Sequence, residues 1–401
     1  MADNFSNNFS NTKKVKMIAA QAIDNMDYIK ASRSYMSQSD LKNKKYGQNY
    51  KIYLPDPGKV VNGIVADPDS INEVEVEVLM DNNNTSCELT AWNSLTDIED
   101  FKQQIAIPRG NHLARETQRQ IVNANVFKSA QAVVASTPGF GVLSDAAAAI
   151  NELAVGGNLV SFMKPEVMGK IASSGLANFI PAQNAKDIYS DNYLGQYAGA
   201  SQIQLAVLPV LTTPADMSAT ITLTQVTDSD SNVIGFQPIT GITAGGGVTF
   251  KPGFAYKATG LKVVDSTGIQ TDQDYAIITI GADGSIPELR ITIDGKGYNN
   301  PNAWVEAGTT TLTLTPLLTA SKKYWVGQVR SEEALAYDAY RFEDLPGSDN
   351  EEVAASVGGV TVKMSQYGNG QTLTKAIRLD LPFATGIVDH RSSVTVYILK
   401  A

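Results

Sequence analysis

Residues that could carry acid–base, nucleophilic or metal chemistry are sparse in this sequence of 401 residues. The two histidines, His112 and His390, are far apart in the sequence, and Cys87 is the single cysteine. A Ser-His-Asp triad is improbable with so few histidines, and no G-x-S-x-G turn occurs. One cysteine excludes an internal disulfide and a cysteine-based zinc cage. We therefore expect no catalytic, cofactor-binding or metal-binding residues, and an enzyme is the weakest interpretation.

Two short motifs match the beginnings of ligand loops but lack the residues that would complete them. Residues 228–232 have the Asp-x-Asp-x-Asn start of a calcium-binding EF-hand loop, but Val233 and Ile239 occupy the positions that need Gly and Glu. The three glycines at residues 245–247 are not followed by the Lys-Ser/Thr of a phosphate-binding loop. Both motifs are better interpreted as turns.

Charge is distributed in blocks along the chain. The formal net charge is −9, which argues against a nucleic-acid reader because such proteins carry a basic stripe. Residues 1–51 contain nine basic and four acidic residues, whereas residues 52–100 contain one lysine and eleven acids. Residues 101–135 again contain five basic residues and one acid. This order suggests that the acidic segment lies against a basic surface, in its own chain or in a neighbour.

The sharpest pattern inside the acidic block is the stretch EVEVEV at residues 73–78. Strict alternation predicts a strand with one carboxylate face and one packed valine face. We therefore predict contacts between subunits from three glutamates to basic residues of the following segment; the candidates are Glu73, Glu75, Glu77, Arg109, Arg115 and Arg119. The acidic strand would then orient a partner more than it would add affinity.

The elements that position these residues can be read from periodicity and turn signals. We predict a strand at residues 50–54, a Pro/Gly-rich loop, a turn at residues 81–84 and a returning strand at residues 86–92. A two-stranded arm of this kind is marginal in water by itself, so a neighbouring copy is the natural support. The predicted helices span residues 15–36, 94–104, 111–136, 144–155, 165–175 and 332–337.

The helix at residues 111–136 is the most prominent of these predictions. Asn111 is a suitable N-cap, no Gly or Pro interrupts the run, and Pro138-Gly139 would end it. Its first half is polar and basic, and its second half is apolar and small.

Residues 212–320 are rich in Thr, Gly, Val and Ile and contain recurrent turn signals. They predict an all-β module, in the form of a small barrel, inserted into an α+β framework. Its predicted strands are 219–226, 233–237, 247–250, 256–264, 275–280, 289–293 and 309–315. The framework strands are predicted at 158–163, 202–211, 324–329, 340–343, 357–364, 376–381 and 394–399.

The order of these elements resembles a tailed-bacteriophage major capsid protein of the Hong-Kong-97-type fold. It is most similar to the lambdoid-podovirus coat proteins, which carry an inserted domain. The resemblance covers nearly the whole chain and rests on element order; the stretches that carry it are residues 50–54, 73–80 and 111–136, Phe162-Met163-Lys164-Pro165, and Leu208-Pro209-Val210-Leu211-Thr212.

The resemblance implies an α+β capsid fold with a defined division of the chain. Its parts are an N-arm (1–46), an E-loop (47–80), a P-domain (81–139) with spine helix 111–136, an A-domain (140–211 and 321–360), an inserted β domain (212–320) and P-domain C-terminal strands (361–401). It implies that copies of this chain form hexamers and pentamers in an icosahedral virion capsid, assembled in the host cytoplasm.

Further partners follow from the same resemblance. A scaffolding protein, contacted by Lys13, Lys14 and Lys16, and a portal are expected. The shell would enclose double-stranded DNA without sequence-specific binding and without a membrane. The sequence leaves two alternatives open: a carbohydrate-binding or adhesin-like module, which accounts only for residues 212–320, and a cellular encapsulating shell of the same fold.

Overall fold

The structure is a computed structural model that describes residues 11–35, 49–55, 73–90, 102–153, 156–174, 196–215, 221–227, 233–238, 252–280, 289, 291–293, 296–297, 301–340, 351–369 and 374–400. The described α-helices are α1 (Asn11–Asp24), α2 (Asp27–Lys30), α3 (Ile107–Asn125), α4 (Phe140–Asn151) and α5 (Pro165–Ser173). A π-helix, Lys102–Ala106, directly precedes α3. Strands predominate, so the expected α+β class is confirmed with a larger share of β-structure.

The strands form three sheets. The first contains β1 (Asn49–Pro55), β2 (Glu73–Thr90), β17 (Leu335–Asp338), β18 (Glu351–Val357), β19 (Val360–Asn369) and β20 (Thr374–Ile387). The second contains β3 (Gln131–Ala135), β4 (Leu159–Met163), β5 (Gln196–Tyr197), β6 (Ala200–Gln204), β7 (Val210–Thr212), β16 (Lys323–Ser331) and β21 (Ser393–Lys400). The third contains β8 (Ile221–Thr227), β9 (Val233–Pro238), β10 (Ala255–Val264), β11 (Gln270–Ile278), β12 (Ile291–Ile293), β13 (Lys296–Gly297), β14 (Ala303–Val305) and β15 (Thr311–Pro316).

The chain divides into two compact units. The first comprises residues 1–51, 77–121 and 336–386, and the second comprises residues 52–76, 122–335 and 387–401. The first sheet, most of whose residues belong to the first unit, has the order β1-β2-β20-β19-β18, with β17 also paired to β20.

Strand β2 runs unbroken through the expected turn at residues 81–84. Its antiparallel partner β20 pairs with it from Leu79, opposite Thr385, to Thr90, opposite Thr374. The backbone groups of Asp81 and the three following asparagines are therefore satisfied by a remote strand, and a turn would leave them unpaired. The prediction of a hairpin turn here was wrong because polar turn-formers stay extended when a long partner strand is present.

Helix α1 packs against β18 and β19 in the first unit. Its partner α3 approaches closely at Gly110, where an added Cβ would lie 3.4 Å from the carbonyl oxygen of Ile18. The Asn111 side-chain oxygen accepts hydrogen bonds from the side-chain amides of Gln21 and Asn25, both at 2.8 Å. Asn111 therefore lies inside α3 and links this helix to the C-terminal end of α1. It is not the N-cap that we predicted.

The predicted helix at residues 111–136 begins earlier and ends eleven residues sooner than expected, at Asn125. Residues 131–135 instead form β3, which pairs in parallel with β21. The intervening turn is held by remote groups: Thr395 Oγ1 donates to the carbonyl of Val126 at 2.8 Å, and Ser393 Oγ donates to that of Lys128 at 3.1 Å. A parallel partner and the β-branched pair at residues 133–134 favour a strand over continued helix.

In the second unit the framework sheet has the order β3-β21-β16-β4-β6-β5, with β7 also paired to β16. Helices α4 and α5 bury their apolar residues on this sheet together with Trp325, Val329, Val396 and Ile398. Pro165 opens α5, as predicted, because proline is tolerated in the first turn of a helix.

Three neighbouring predictions differ in detail from the structure. The strand predicted at residues 202–211 is divided into β6 and β7, with Pro209 between them. The helix predicted at 332–337 is a short 3₁₀-turn, Glu332–Ala334, that leads into β17. Helix α4 begins four residues before its predicted start.

The third sheet has the order β13-β12-β14-β10-β15-β8-β9, with β11 also paired to β10. Strand β12 is near one end of this order and β9 is at the other end. Because Cα atoms of these two strands lie within 8 Å of each other, the sheet curls back toward itself. The predicted strand at 247–250, the loop motifs at 228–232 and 245–247, and most of the predicted helix at 94–104 lie outside the described residues. Among the described helices, none combines the length and apolar character needed to cross a membrane.

Candidate functional site

The acidic strand predicted from EVEVEV has the expected two faces. Val78 and Met80 are fully buried and Val76 nearly so, whereas Glu75 and Glu77 are exposed. The side chain of Glu73 lies outside the described residues. This alternation follows from the two-residue period of a strand, whose buried face packs in the sheet.

Two apolar side chains of the arm strands are also exposed. Leu79, which follows the glutamates on the same face of β2, is 53% exposed. Tyr53 on β1 is also 53% exposed. Single exposed apolar residues are common on protein surfaces, so these two side chains do not by themselves define a binding surface.

The structure gives two of the three predicted arginines partners within their own chain. Arg109 Nη1 donates to Thr85 Oγ1 at 3.2 Å, which joins α3 to β2. Arg119 donates two hydrogen bonds to the carboxylate of Glu116 on the same helix, and both side chains are exposed. The pKa of Glu116 is lowered chiefly by the hydrogen bond from Arg119. Arg115 is exposed on α3. Contacts of these residues with a second subunit stay a prediction.

The predicted scaffold contacts lie together on α1. Lys13 and Lys16 are exposed, and Lys14 is half-buried. Their position on one helix is compatible with a partner surface, and their role stays a prediction.

A buried carboxylate, Asp338, accepts several hydrogen bonds in the first unit. It accepts hydrogen bonds from Ser34 Oγ at 2.5 Å, Tyr50 Oη at 2.7 Å and the backbone N–H of Tyr35 at 3.4 Å. Burial raises the pKa of the Tyr50 phenol, and the charge of Asp338 raises it further. Because these donors come from two segments far from it in the sequence, Asp338 ties both segments to β17.

A cavity of about 310 Å³ opens beside this tie. It is lined by hydroxyl groups of Ser32, Ser356 and Thr361 and by the turn Gly358-Gly359. Lys30 and Asp338 also line it, so the cavity is a polar cleft. In the described part of the chain, no three His, Cys, Asp or Glu side chains are grouped to hold a metal ion.

A basic surface that the sequence did not reveal lies in the second unit, around Trp325. Lys170 Nζ lies 4.3 Å from the centre of the indole ring, and Lys400 Nζ lies 5.5 Å from it. The indole Nε1 donates to Glu166 Oε2 at 3.2 Å. Glu166 and Lys170 precede Trp325 by more than 150 positions in the sequence. No local sequence pattern could therefore have indicated the cluster.

Comparisons with known proteins identify no family model and no curated protein that matches the sequence. Solved structures with similarity include the capsid of Ralstonia phage GP4, with 8% identity, 89% of this chain and 85% of that chain covered, and a TM-score of 0.46. The mature capsid of bacteriophage PhiM1 has 10% identity, coverage of 92% and 86%, and a TM-score of 0.44. A virus-like particle from Pyrococcus furiosus has 8% identity, coverage of 96% and 97%, and a TM-score of 0.39. At such identities and TM-scores these similarities assign no function to this chain.

Proposed function

We propose that this chain is the major capsid protein of a tailed double-stranded DNA phage and that its copies assemble into an icosahedral shell. The observation that carries the proposal is the outer face of β2, where Glu75, Glu77 and the exposed Leu79 follow one another. A strand face that carries several carboxylates is suited to set the orientation and register of a contact with another subunit.

The proposed division of the chain follows the resemblance found in the sequence. Residues 1–46 would form the N-arm and residues 47–80 the E-loop. The P-domain would comprise residues 81–139 and 361–401, with α3 as its spine helix. The A-domain would comprise residues 140–211 and 321–360, and the third sheet would belong to the inserted domain at residues 212–320.

A shell of this kind requires many modest contacts, because repetition supplies the net stability. A net charge of −9 suits a container for DNA that should not bind its contents tightly. The proposed partners are other copies in hexamers and pentamers, a scaffolding protein on Lys13, Lys14 and Lys16, a portal, and packaged DNA. The proposed location is the virion capsid, after assembly in the host cytoplasm.

Negative-stain electron microscopy of the full-length protein expressed alone tests the proposal. We expect closed shells, spirals or curved sheets built from a repeating subunit. A protein that stays monomeric alone, and also after addition of lysate from phage-infected cells as a source of scaffolding protein, would contradict it. Glycan binding by that monomer would then support the adhesin-like alternative.

A further inference from the structure

A cluster of lysine side chains surrounds Trp325 in the second unit. We define the lysine–tryptophan surface as Lys164, Lys170, Lys323, Trp325 and Lys400, with Glu166 at its centre. Trp325 is buried, whereas Lys170, Lys323 and Glu166 are exposed and Lys164 and Lys400 are half-buried. The cluster is therefore an accessible surface of charged side chains over a buried indole ring.

Sheet register brings the cations together. Lys323 on β16 lies directly opposite Lys400 on β21, so both side chains stand on the same face. Trp325 follows on that face two residues later, and helix α5 adds Lys170 above its ring. The register of β7 places Val210, 41% exposed, opposite Trp325. An exposed apolar side chain, that of Val210, therefore borders the lysines.

The cations outnumber the available carboxylates. Glu166 lies 3.9 Å from Lys170 Nζ and 3.8 Å from Lys400 Nζ, and it is the one carboxylate paired with these lysines within the described ranges. Like charges placed directly opposite each other in a sheet are destabilising. Burial lowers the pKa of the Lys164 ammonium, and the charge of Lys400 lowers it further. Added carboxylates would relieve this repulsion.

We propose that the lysine–tryptophan surface binds the acidic strand segment of a second copy of this chain, residues 73–77, through its glutamate carboxylates. This inference rests on the proposed function. Residues 52–100 form the most acidic block of the sequence, with eleven acids and one lysine. Alternate residues of a strand are separated by roughly 6.6–6.8 Å on one face, a spacing that side chains on neighbouring strands and a covering helix can meet.

The surface is a better acceptor than the helix surface predicted from the sequence. Arg109 is bound to Thr85 and Arg119 to Glu116 within their own chain. At the lysine–tryptophan surface, Lys170 and Lys400 share Glu166, and neither Lys164 nor Lys323 forms an ion pair within the described ranges. Exposed Leu79 of the incoming strand would add an apolar contact at Val210. Each ion pair at such a rim gives orientation and association rate more than affinity.

Peptide binding tests the contact directly. A fluorescein-labelled peptide of residues 69–80 is titrated with the unassembled full-length protein, and anisotropy is measured. The same peptide with Gln at 73, 75 and 77 is the ligand control. We expect binding that weakens at least about tenfold with the Gln peptide and about as much with the variant Lys170→Glu/Lys323→Glu. The matched control Lys13→Glu/Lys16→Glu should bind as the wild type does.

Several outcomes would overturn the contact. They are equal binding of both peptides, no binding of the acidic peptide to the wild type, or equal loss in the Lys13/Lys16 control. If Lys170→Glu/Lys323→Glu fails to fold by circular dichroism, Lys170→Gln and Lys323→Gln singly replace it, with a smaller loss expected in each. Binding of a labelled double-stranded oligonucleotide that depends on Lys170 and Lys323, without peptide binding, would assign the surface to nucleic acid instead.

A crossed assembly experiment separates this contact from the proposed function. Copies with Glu73, Glu75 and Glu77 changed to Lys and copies with Lys170→Glu/Lys323→Glu are assembled alone, and all five changes are then combined in one chain. We expect regular shells from the wild type and the combined variant only. No particles from the wild type, alone or with the added source of scaffolding protein, would contradict the proposed function. Regular shells from Lys170→Glu/Lys323→Glu alone would overturn only this contact.

Discussion

Three buried tyrosines differ in what their hydroxyl groups bind. Tyr50 donates to the Asp338 carboxylate at 2.7 Å, and Tyr397 donates to the carbonyl of Gly253 at 2.8 Å. The hydroxyl of Tyr337 is buried and has no hydrogen-bond partner among the described residues. Burial raises the pKa of all three phenols. The same side chain thus carries a charge-assisted bond, a neutral bond or none.

Substitution of each tyrosine by phenylalanine should give three different results. Tyr50→Phe should lower the free energy of unfolding by about 1.5–3 kcal/mol because a bond to a charged group is lost, and Tyr397→Phe by about 1 kcal/mol. Tyr337→Phe should change it by less than about 0.5 kcal/mol, since removal of a buried unpaired hydroxyl relieves a desolvation cost. Urea denaturation of the full-length chain measures all three, and a loss at Tyr337 as large as that at Tyr50 would contradict this assignment.

At the scale of elements, β16 is the central strand of the framework sheet, because β21, β4 and β7 all pair with it. Gly327 allows this close approach. A Cβ at this position would meet the Met163 side chain and would lie 3.0 Å from the carbonyl oxygen of Phe162. Both obstacles belong to β4, so any added atom presses two paired strands apart.

Gly327→Ala should therefore destabilise the protein by about 1–3 kcal/mol through overpacking. Gly169→Ala is the matched control, because Gly169 lies within α5 and an added Cβ there meets nothing within 4 Å. The control should stabilise the protein by roughly 0.5–1 kcal/mol, since alanine loses less backbone entropy in a helix. Thermal or urea denaturation reports both changes, and the same sign for the two variants would show that packing at β16 is not the cause.

At the scale of the whole molecule, the acidic block of the sequence supplies exposed carboxylates, and lysines from outside the charge blocks supply an exposed basic surface. Glu75 and Glu77 of β2 are exposed, as are Lys170 and Lys323 beside Trp325. Complementary surfaces on one subunit favour association of many copies, and charge sets their register.

Reversal of Glu73, Glu75 and Glu77 to Lys should abolish regular shells while the subunit stays folded, because Glu75 and Glu77 point away from the buried face of β2. Electron microscopy follows assembly, and circular dichroism with urea denaturation follows folding. The matched control reverses three other exposed acids, Asp145, Asp272 and Glu306, and should assemble normally. Regular shells from the glutamate variant would show that the glutamates of β2 are not part of the assembly contact.

The sequence by itself determined the features that depend on local pattern. Alternation at residues 73–80 fixed the buried and exposed faces of β2, and Pro165 marked the start of α5. The Thr- and Gly-rich composition of residues 212–320 indicated a β-rich region, and its described residues form the third sheet. These features follow from the two-residue period of strands and from the fixed φ of proline, which act over a few residues.

Only the tertiary structure decided where α3 ends, whether β2 turns and which cations cluster. Residues 131–135 are a strand because β21 pairs with them, and residues 81–84 stay extended because β20 satisfies their backbone groups. Lys170, Lys323 and Lys400 meet because two strands and a helix place them around Trp325. In each case the partner lies far away in the sequence, and hydrogen bonds and packing with remote strands outweigh local preferences of a few tenths of a kcal/mol per residue.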